Sequence, residues 1–249
     1  MQFDPTTRFT QRVDTYQRYR PTYPREVLTL LERECGLQPG ARIADVGCGT
    51  GLLARLFLDY GCEVFGVEPN AKMRVAAEEL LAAEPRFHSV DGRAESTTLP
   101  DHAFDFVTAG QAFHWFEPAP ASREFARILK PEGWVVLVWN ERKTAPGFQT
   151  DYDTVIQDYA PEISRINEEA IDIVYGHHGW RLVEFDNHQH LDLEGLQGRL
   201  ASSSYAPLPG TPAFQPLMEA LARLFAKYQK DGRVTLLYDT KVYVGQLKN

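Results

Sequence analysis

Short, nearly all-apolar runs alternate along the first 140 residues with longer stretches whose apolar positions recur at helical spacing. Arg42 to Val46, Glu63 to Val67, Arg86 to Val90, Phe104 to Ala109 and Trp134 to Trp139 predict five strands, apolar enough for burial on both faces. Between them, Leu52 to Tyr60 predicts a helix that stops at Gly61, a natural left-handed terminus. Asn70 can cap a second helix reaching about Glu84, and Pro118 to Leu129 predicts a third, closed by Pro131 with Gly133. Strands alternating with helices predict an α/β domain with a parallel sheet, and right-handed crossovers put helices on both of its faces.

The rhythm differs at the two ends. Phe9 to Tyr19 predicts a small separate helix that folds over the domain, Pro21 pushes Arg20 away from helical angles, and Pro24 starts a helix ending near Gly36. After Asn140, helices are expected over Phe148 to Ala160 and Glu162 to Tyr175, then a strand from Arg181 to about His190. A short helix over Leu193 to Ser203 and a longer one from Thr211 and Pro212 to about Lys230 precede a final strand, Arg233 to Gln246. Residues 1–23 thus predict a lid, and residues 24–249 a single domain with helical insertions at about 143–178 and 192–230.

Composition narrows the class. With 43% hydrophobic and 24% charged residues the chain is an ordinary globular one. The run Trp134 to Trp139 is far short of the ~20 residues a membrane span needs. Residues 1–20 carry Asp4, Arg8, Arg12, Asp14, Arg18 and Arg20 and lack the apolar core of a secretory signal, so a cytoplasmic location is expected. Cys35, Cys48 and Cys62 are the three cysteines; an odd number without C-x-x-C spacing argues against a disulfide framework and a Cys-based zinc site. A net charge of −8 disfavours nucleic acid as a partner, because phosphate binding is driven by Lys and Arg. His177, His178, His188 and His190 lack a completing carboxylate spacing, so no metal site is expected.

The chemistry concentrates in Asp45-Val46-Gly47-Cys48-Gly49-Thr50-Gly51, between the first strand and its helix. Glycines there allow a tight turn and close approach of a ligand, and Glu68, ending the second strand, suits ribose hydroxyls. Gly49 to Ala54 also fits the looser G-x-G-x-x-G/A dinucleotide pattern, so a nicotinamide-dependent reductase is one reading. Asp45 and the absence of Lys or Arg from Ile43 through Ala54 suit instead a cofactor carrying an ammonium and a sulfonium. A non-catalytic cofactor-binding regulator is a third reading.

Asp45 to Gly51 resembles the first motif of class I S-adenosylmethionine-dependent methyltransferases, and Glu68 matches their acidic second-strand position. Gly92-Arg93-Ala94-Glu95, Leu99-Pro100 and Phe104-Asp105-Phe106-Val107 resemble the adenine loop and fourth strand of the small-molecule branch. Leu129-Lys130-Pro131-Glu132-Gly133 resembles the lead-in to their fifth strand. Tyr16 to Pro24, Gln111 to Phe116 and Ser202-Ser203-Ser204-Tyr205 are similar to the trans-aconitate methyltransferase-like group. Arg93 is a departure, standing where related enzymes often have Asp.

The resemblance implies a Rossmann-like, doubly wound, seven-stranded, mostly parallel sheet. It also implies S-adenosylmethionine as cofactor, S-adenosylhomocysteine as product, and a small-molecule methyl acceptor, with a carboxylate as one candidate. The cofactor residues it implies are Asp45, Gly47, Cys48, Gly49, Gly51, Glu68, Pro69, Met73, Ala94, Glu95, Gln111 and Ala112. Acceptor and lid residues are Tyr16, Tyr19, Arg20, His114, Trp115, Asn140 and Tyr205. His114 is the candidate base, although a lone His flanked by Phe113 and Trp115 is more often a packed wall residue; a carboxylate acceptor needs no base. Cys48 reads as a small buried side chain, not a nucleophile.

Overall fold

A computed structural model describes residues 13–159, 167–176 and 179–247. Seven strands form one sheet: β1 (Arg42–Val46), β2 (Glu63–Val67), β3 (Phe87–Val90), β4 (Phe104–Gly110), β5 (Leu129–Arg142), β6 (Trp180–Leu191) and β7 (Val234–Gly245). Their spatial order is β3-β2-β1-β4-β5-β7-β6. The ladders from β3 through β5 are parallel, while β7 lies antiparallel between β5 and β6. The expected doubly wound, mostly parallel sheet is what forms. The strand order reverses between β1 and β4, and at such a point a crevice opens beyond the carboxyl ends of the strands.

Helices α1 (Val13–Tyr19), α2 (Glu26–Cys35), α3 (Leu52–Tyr60), α4 (Ala71–Leu80) and α5 (Pro118–Ile128) belong to the first part of the chain. Asn70 caps α4 as expected, accepting hydrogen bonds from the Lys72 and Met73 amides, and Gly61 ends α3 in the left-handed region. Helices α6 (Phe148–Tyr159) and α7 (Glu168–Tyr175) follow β5. Helices α8 (Leu193–Ala201) and α9 (Phe214–Tyr228) lie between β6 and β7. One core buries Val46, Val67, Phe104, Val107, Phe125 and Leu137; on the other side of the sheet Ile43, Phe57, Val64, Phe106 and Val136 pack with α2 and α3. A third cluster, with Tyr152, Leu196, Leu221 and Tyr238, joins α6, α8 and α9 to β7.

Three expectations change. Pro131 and Gly133 do not close a helix ahead of β5 but sit inside its irregular start, where the register on β4 shifts between Phe104 and Phe106. Tyr16 and Tyr19 do not form a shared pocket face. Tyr16 instead lies under Arg20, whose guanidinium carbon is 4.6 Å from the ring centre, and the Arg20 amide still reaches the Tyr16 carbonyl, extending the last turn of α1. The expected helix from Glu162 is seen from Glu168, capped by Asn167; residues 160–166 lie outside the described residues, as do residues 9–12, His177 and His178. Among the described residues no helix is long and apolar enough to cross a membrane, and no cluster of three metal-ligating side chains occurs.

Candidate active site

The loop after β1 is shaped by backbone requirements. Gly47, Gly49 and Gly51 all have positive φ, but they do different things. A Cβ on Gly47 would stand 2.6 Å from the Ala112 Cβ, and one on Gly51 would stand 2.8 Å from Leu81, so these two glycines permit close packing within the protein. At Gly49 (φ +57°) no atom of the described residues beyond its chain neighbours lies within 4 Å of the Cβ position, so this side of the loop is open. Glu68 ties this loop down: one carboxylate oxygen accepts from the Gly49 amide (3.1 Å) and the other from the Asn70 amide (2.9 Å). Arg74 holds the Glu68 carbonyl at 2.7 Å and forks onto Asp91.

A cavity of about 110 Å³ opens beside this loop. Gly47, Gly49, Glu68, Pro69 and Met73 line one side of it; Ala94, Glu95, Gln111 and Ala112 line the other. Nine of the twelve residues expected to hold the cofactor therefore meet in one place. Asp45 and Cys48 line an adjoining neck of about 20 Å³. Gly51 lines neither, because its role is the contact with α4. Trp115, expected on the acceptor side, faces the cofactor cavity with Phe116.

Asp45 is fully buried; one of its oxygens accepts from Thr108 at 2.9 Å, and the other has no partner among the described residues. Burial drives this carboxyl up to about 7, with Thr108 opposing and Glu68 adding to the rise. An orphaned, buried carboxylate oxygen beside a neck open to the glycine loop fits a cationic ligand group.

A larger cavity, about 510 Å³, lies beyond Gln111. His114, Trp139, Asn140, Arg142, Arg199 and Tyr205 form part of its wall, with Thr150, Asp153 and Thr154 of α6 opposite. Tyr16 and Gln111 border all three spaces. Gln111 is held in an unusual positive-φ conformation (+57°), its amide bonded to the Val138 carbonyl and its side chain donating to the Asn140 carbonyl. Such strain persists only where the surroundings enforce it. His114 is packed between Trp115 and Trp139, with ring centres at 4.4 and 4.9 Å. The Asn140 side chain is engaged structurally: it accepts from Thr240 and Asn187 and donates to the Thr22 carbonyl. Tyr19, contrary to expectation, lines none of these three spaces; its hydroxyl donates to Glu194 and its ring covers Gly198, fastening α1 to α8.

Sequence reasoning left Arg199 out. It sits on the apolar face of α8 with Leu196 and Leu200, is 5% exposed, and points to the Tyr238 and Ser203 hydroxyls. A lone arginine three positions from one buried leucine and next to another was the available signal. Arg142, at the end of β5, donates to Asp153 (2.8 Å) and Tyr205 (3.0 Å). Arg20 donates to the Ser202 carbonyl (2.9 Å), and its buried Nε has no partner among the described residues.

A doubly wound sheet with a glycine loop after β1 and an acidic residue just after β2 has the architecture of the α/β class that binds nucleoside cofactors. Residues 44–137 match the family model described as a methyltransferase domain. An uncharacterized methyltransferase of Mycobacterium tuberculosis is 34% identical over 206 residues, covering 81% of this chain and 79% of that protein. The malonyl-(acyl-carrier protein) O-methyltransferase of Enterobacter lignolyticus is 30% identical over 134 residues, 53% of this chain and 51% of that protein. In fold, the chain is similar to Haemonchus contortus phosphoethanolamine N-methyltransferase 2 in complex with S-adenosyl-L-methionine (TM-score 0.58, 16% identity, 100% of this chain and 61% of that one). The chain belongs to the class I S-adenosylmethionine-dependent methyltransferases. The reductase reading is thereby set aside.

Proposed function

We propose that the protein transfers the methyl group of S-adenosylmethionine to a carboxylate of a small-molecule acceptor, in the manner of the trans-aconitate methyltransferase-like group its motifs resemble. The observation that carries this reading is the pair Arg20 and Arg199 in the acceptor cavity, neither of which meets a carboxylate among the described residues. Buried guanidinium groups without a counter-ion favour an anionic occupant, and Arg matches carboxylate geometry. The similarity to an O-methyltransferase named for a malonyl group points the same way. Turnover with small carboxylic acids, against none for a non-catalytic regulator, is the test.

Glu68 would accept hydrogen bonds from ribose hydroxyls, Ala94 would offer its amide to the adenine, and Gly47 and Gly49 would let the backbone approach. When bound, S-adenosylmethionine supplies an electrophilic methyl carbon: a carboxylate oxygen bonds to it as the carbon–sulfur bond breaks, the electron pair staying on sulfur. No proton moves, so the chain's contribution is alignment and exclusion of water. Gln111 and Tyr16, bordering both chambers, would align acceptor with cofactor, and His114 would serve as an acceptor-facing wall residue. Residues 13–23 would act as a lid, since α1 supplies Tyr16 and its end supplies Arg20.

Two expected results arise here. Glu68→Ala removes the ribose acceptor and also strands the Gly49 and Asn70 amides. Loss of a charged hydrogen-bond partner, about 1.5–3 kcal/mol, corresponds to roughly 10- to 150-fold weaker cofactor binding by calorimetry. Unchanged affinity would remove Glu68 from the ribose site. The second concerns pH. Asp45, at about 7, takes up a proton below neutrality in the free protein, whereas a cationic ligand group favours the carboxylate. Cofactor affinity is expected to fall about tenfold per pH unit on acidification below that value. Asp45→Asn should bind weakly with the slope gone; a retained slope would assign the proton elsewhere.

A further inference from the structure

The loop that joins β3 to β4 carries Ala94 and Glu95 into the wall of the cofactor cavity, and α5 grips that loop at three points. Arg93 and Ser96 exchange amide-to-carbonyl hydrogen bonds of 3.0 Å each, which makes Ala94 and Glu95 the tip of a tight turn. A Cβ on Gly92 would stand 2.7 Å from the Thr97 carbonyl oxygen, so the two arms of the turn are packed against each other. Thr98 is held at φ +63°, a conformation that a β-branched residue keeps only where its surroundings enforce it. The restraints come from α5. Glu124, 9% exposed, accepts from the Thr97 amide (2.7 Å) and from the Thr97 hydroxyl (2.5 Å). Arg127, one turn on, forks onto the same carboxylate (2.7 and 2.8 Å) and pairs with Asp101 at the far end of the loop. At the start of the helix the Glu117 amide donates to Glu95 (2.8 Å). Burial pushes the Glu124 carboxyl up, but hydrogen bonds from Arg127 and Thr97 outweigh it and hold the group at about 2, so the clamp stays ionised. Ala121, Phe125 and Ile128 of α5 are fully buried in the core, which ties the clamp to the sheet.

We infer that Glu124 is a positioning residue for base recognition: through Thr97 it fixes the Arg93–Ser96 turn so that the Ala94 amide meets the edge of adenine beside its amino group. The inference rests on the placement of adenine at Ala94 proposed above, and extends it from the residue that touches the base to one that does not. Glu124 lines none of the three spaces, so its effect on the cofactor passes through the loop. A backbone amide cannot be aimed by a rotamer; its direction is that of the turn that carries it. Arg93, a donor-only side chain, stands immediately before Ala94, so no acceptor at that position supplements the amide. An amide donor matches a bare ring nitrogen and opposes one that carries a proton, so the turn distinguishes adenine from hypoxanthine. Without Glu124 the turn would lose the direction that makes this distinction, and ordering it would cost part of the binding energy.

The probes are S-adenosylhomocysteine and S-inosylhomocysteine, which differ at the base edge alone: hypoxanthine carries a proton on the ring nitrogen that adenine leaves bare. Calorimetry on the intact protein is expected to show the adenine form binding about tenfold or more tightly. In Glu124→Ala the affinity for S-adenosylhomocysteine should fall about tenfold while that for the inosine form changes little, so the ratio collapses towards one. Equal losses for both ligands, or a ratio kept in the folded variant, would make Glu124 a residue of stability alone and overturn the inference. Thr97→Val covers the case in which Glu124→Ala does not fold, because it keeps the Glu124–Arg127 pair and removes only the hydroxyl bonds. There the ratio should drop severalfold, and an unchanged ratio again overturns the inference. Equal affinities in the intact protein would instead take adenine away from the Ala94 amide, with the cofactor assignment still carried by the binding of S-adenosylhomocysteine itself.

Discussion

A chain shortened to begin at residue 21 is expected to keep most of its cofactor affinity and lose turnover by about a hundredfold or more, the scale on which misplacing reacting groups acts. The asymmetry follows from where α1 makes its contacts. Gly47, Gly49 and Glu68 are held by hydrogen bonds that do not involve it, and Thr22, whose carbonyl receives Asn140 and Asn187, survives the cut. Tyr16 and Arg20 do not survive, and with them goes the wall shared by the cofactor and acceptor chambers. Tyr19 is lost as well, with its bonds from the Gln189 amide and to Glu194 that fasten the segment to β6 and α8. Calorimetry with S-adenosylhomocysteine and a turnover assay on the same preparation separate the two effects. Full turnover by the shortened chain would reduce α1 to a packed appendage.

Gly49→Val is expected to weaken cofactor binding by at least about a hundredfold while the fold survives, because a branched side chain would fill space the backbone must leave open. Gly49 suits this test better than its neighbours do. At Gly47 and Gly51 an added carbon strikes Ala112 or Leu81, so a loss there would report on packing, whereas at Gly49 no described residue beyond its chain neighbours comes within 4 Å. The positive φ adds strain of about 1–3 kcal/mol, which thermal unfolding would register as a modest loss of stability. A folded Gly49→Val protein with normal affinity would move the cofactor site away from this loop.

The central sheet was readable from the sequence because local pattern and tertiary position agree there. β1, β2 and α3 end where their apolar runs and glycines end, and the Asn70 cap forms as its side chain predicts. Agreement failed where the deciding contact is distant in the chain. Tyr19 looked like a pocket residue by its spacing from Tyr16, but Gly198 leaves a bare surface that takes its ring. Trp115 faces the cofactor side because the short turn Phe113–Trp115 rotates His114 and Trp115 to opposite chambers, a rotation no periodicity encodes. Arg199 was passed over because an arginine within an apolar helix reads as a solvated end until β7 brings Tyr238 to it. The acceptor chamber as a whole is assembled from α1, β5, α6 and α8, which no single motif spans. The candidate cofactor cavity, lined from the loops that follow β1, β2, β3 and β4, lies closer to what a one-dimensional reading can reach.

The most direct test of carboxylate methylation uses S-adenosylmethionine labelled in its methyl group, incubated with the full-length protein and a panel of small mono- and dicarboxylic acids. Label that enters a product and is released by mild alkali is a methyl ester, which is the result expected, with the rate falling on substitution of Arg199. Label transferred in an alkali-stable form to a nitrogen, carbon, sulfur or ether oxygen would keep the chain a methyltransferase and contradict the carboxylate acceptor.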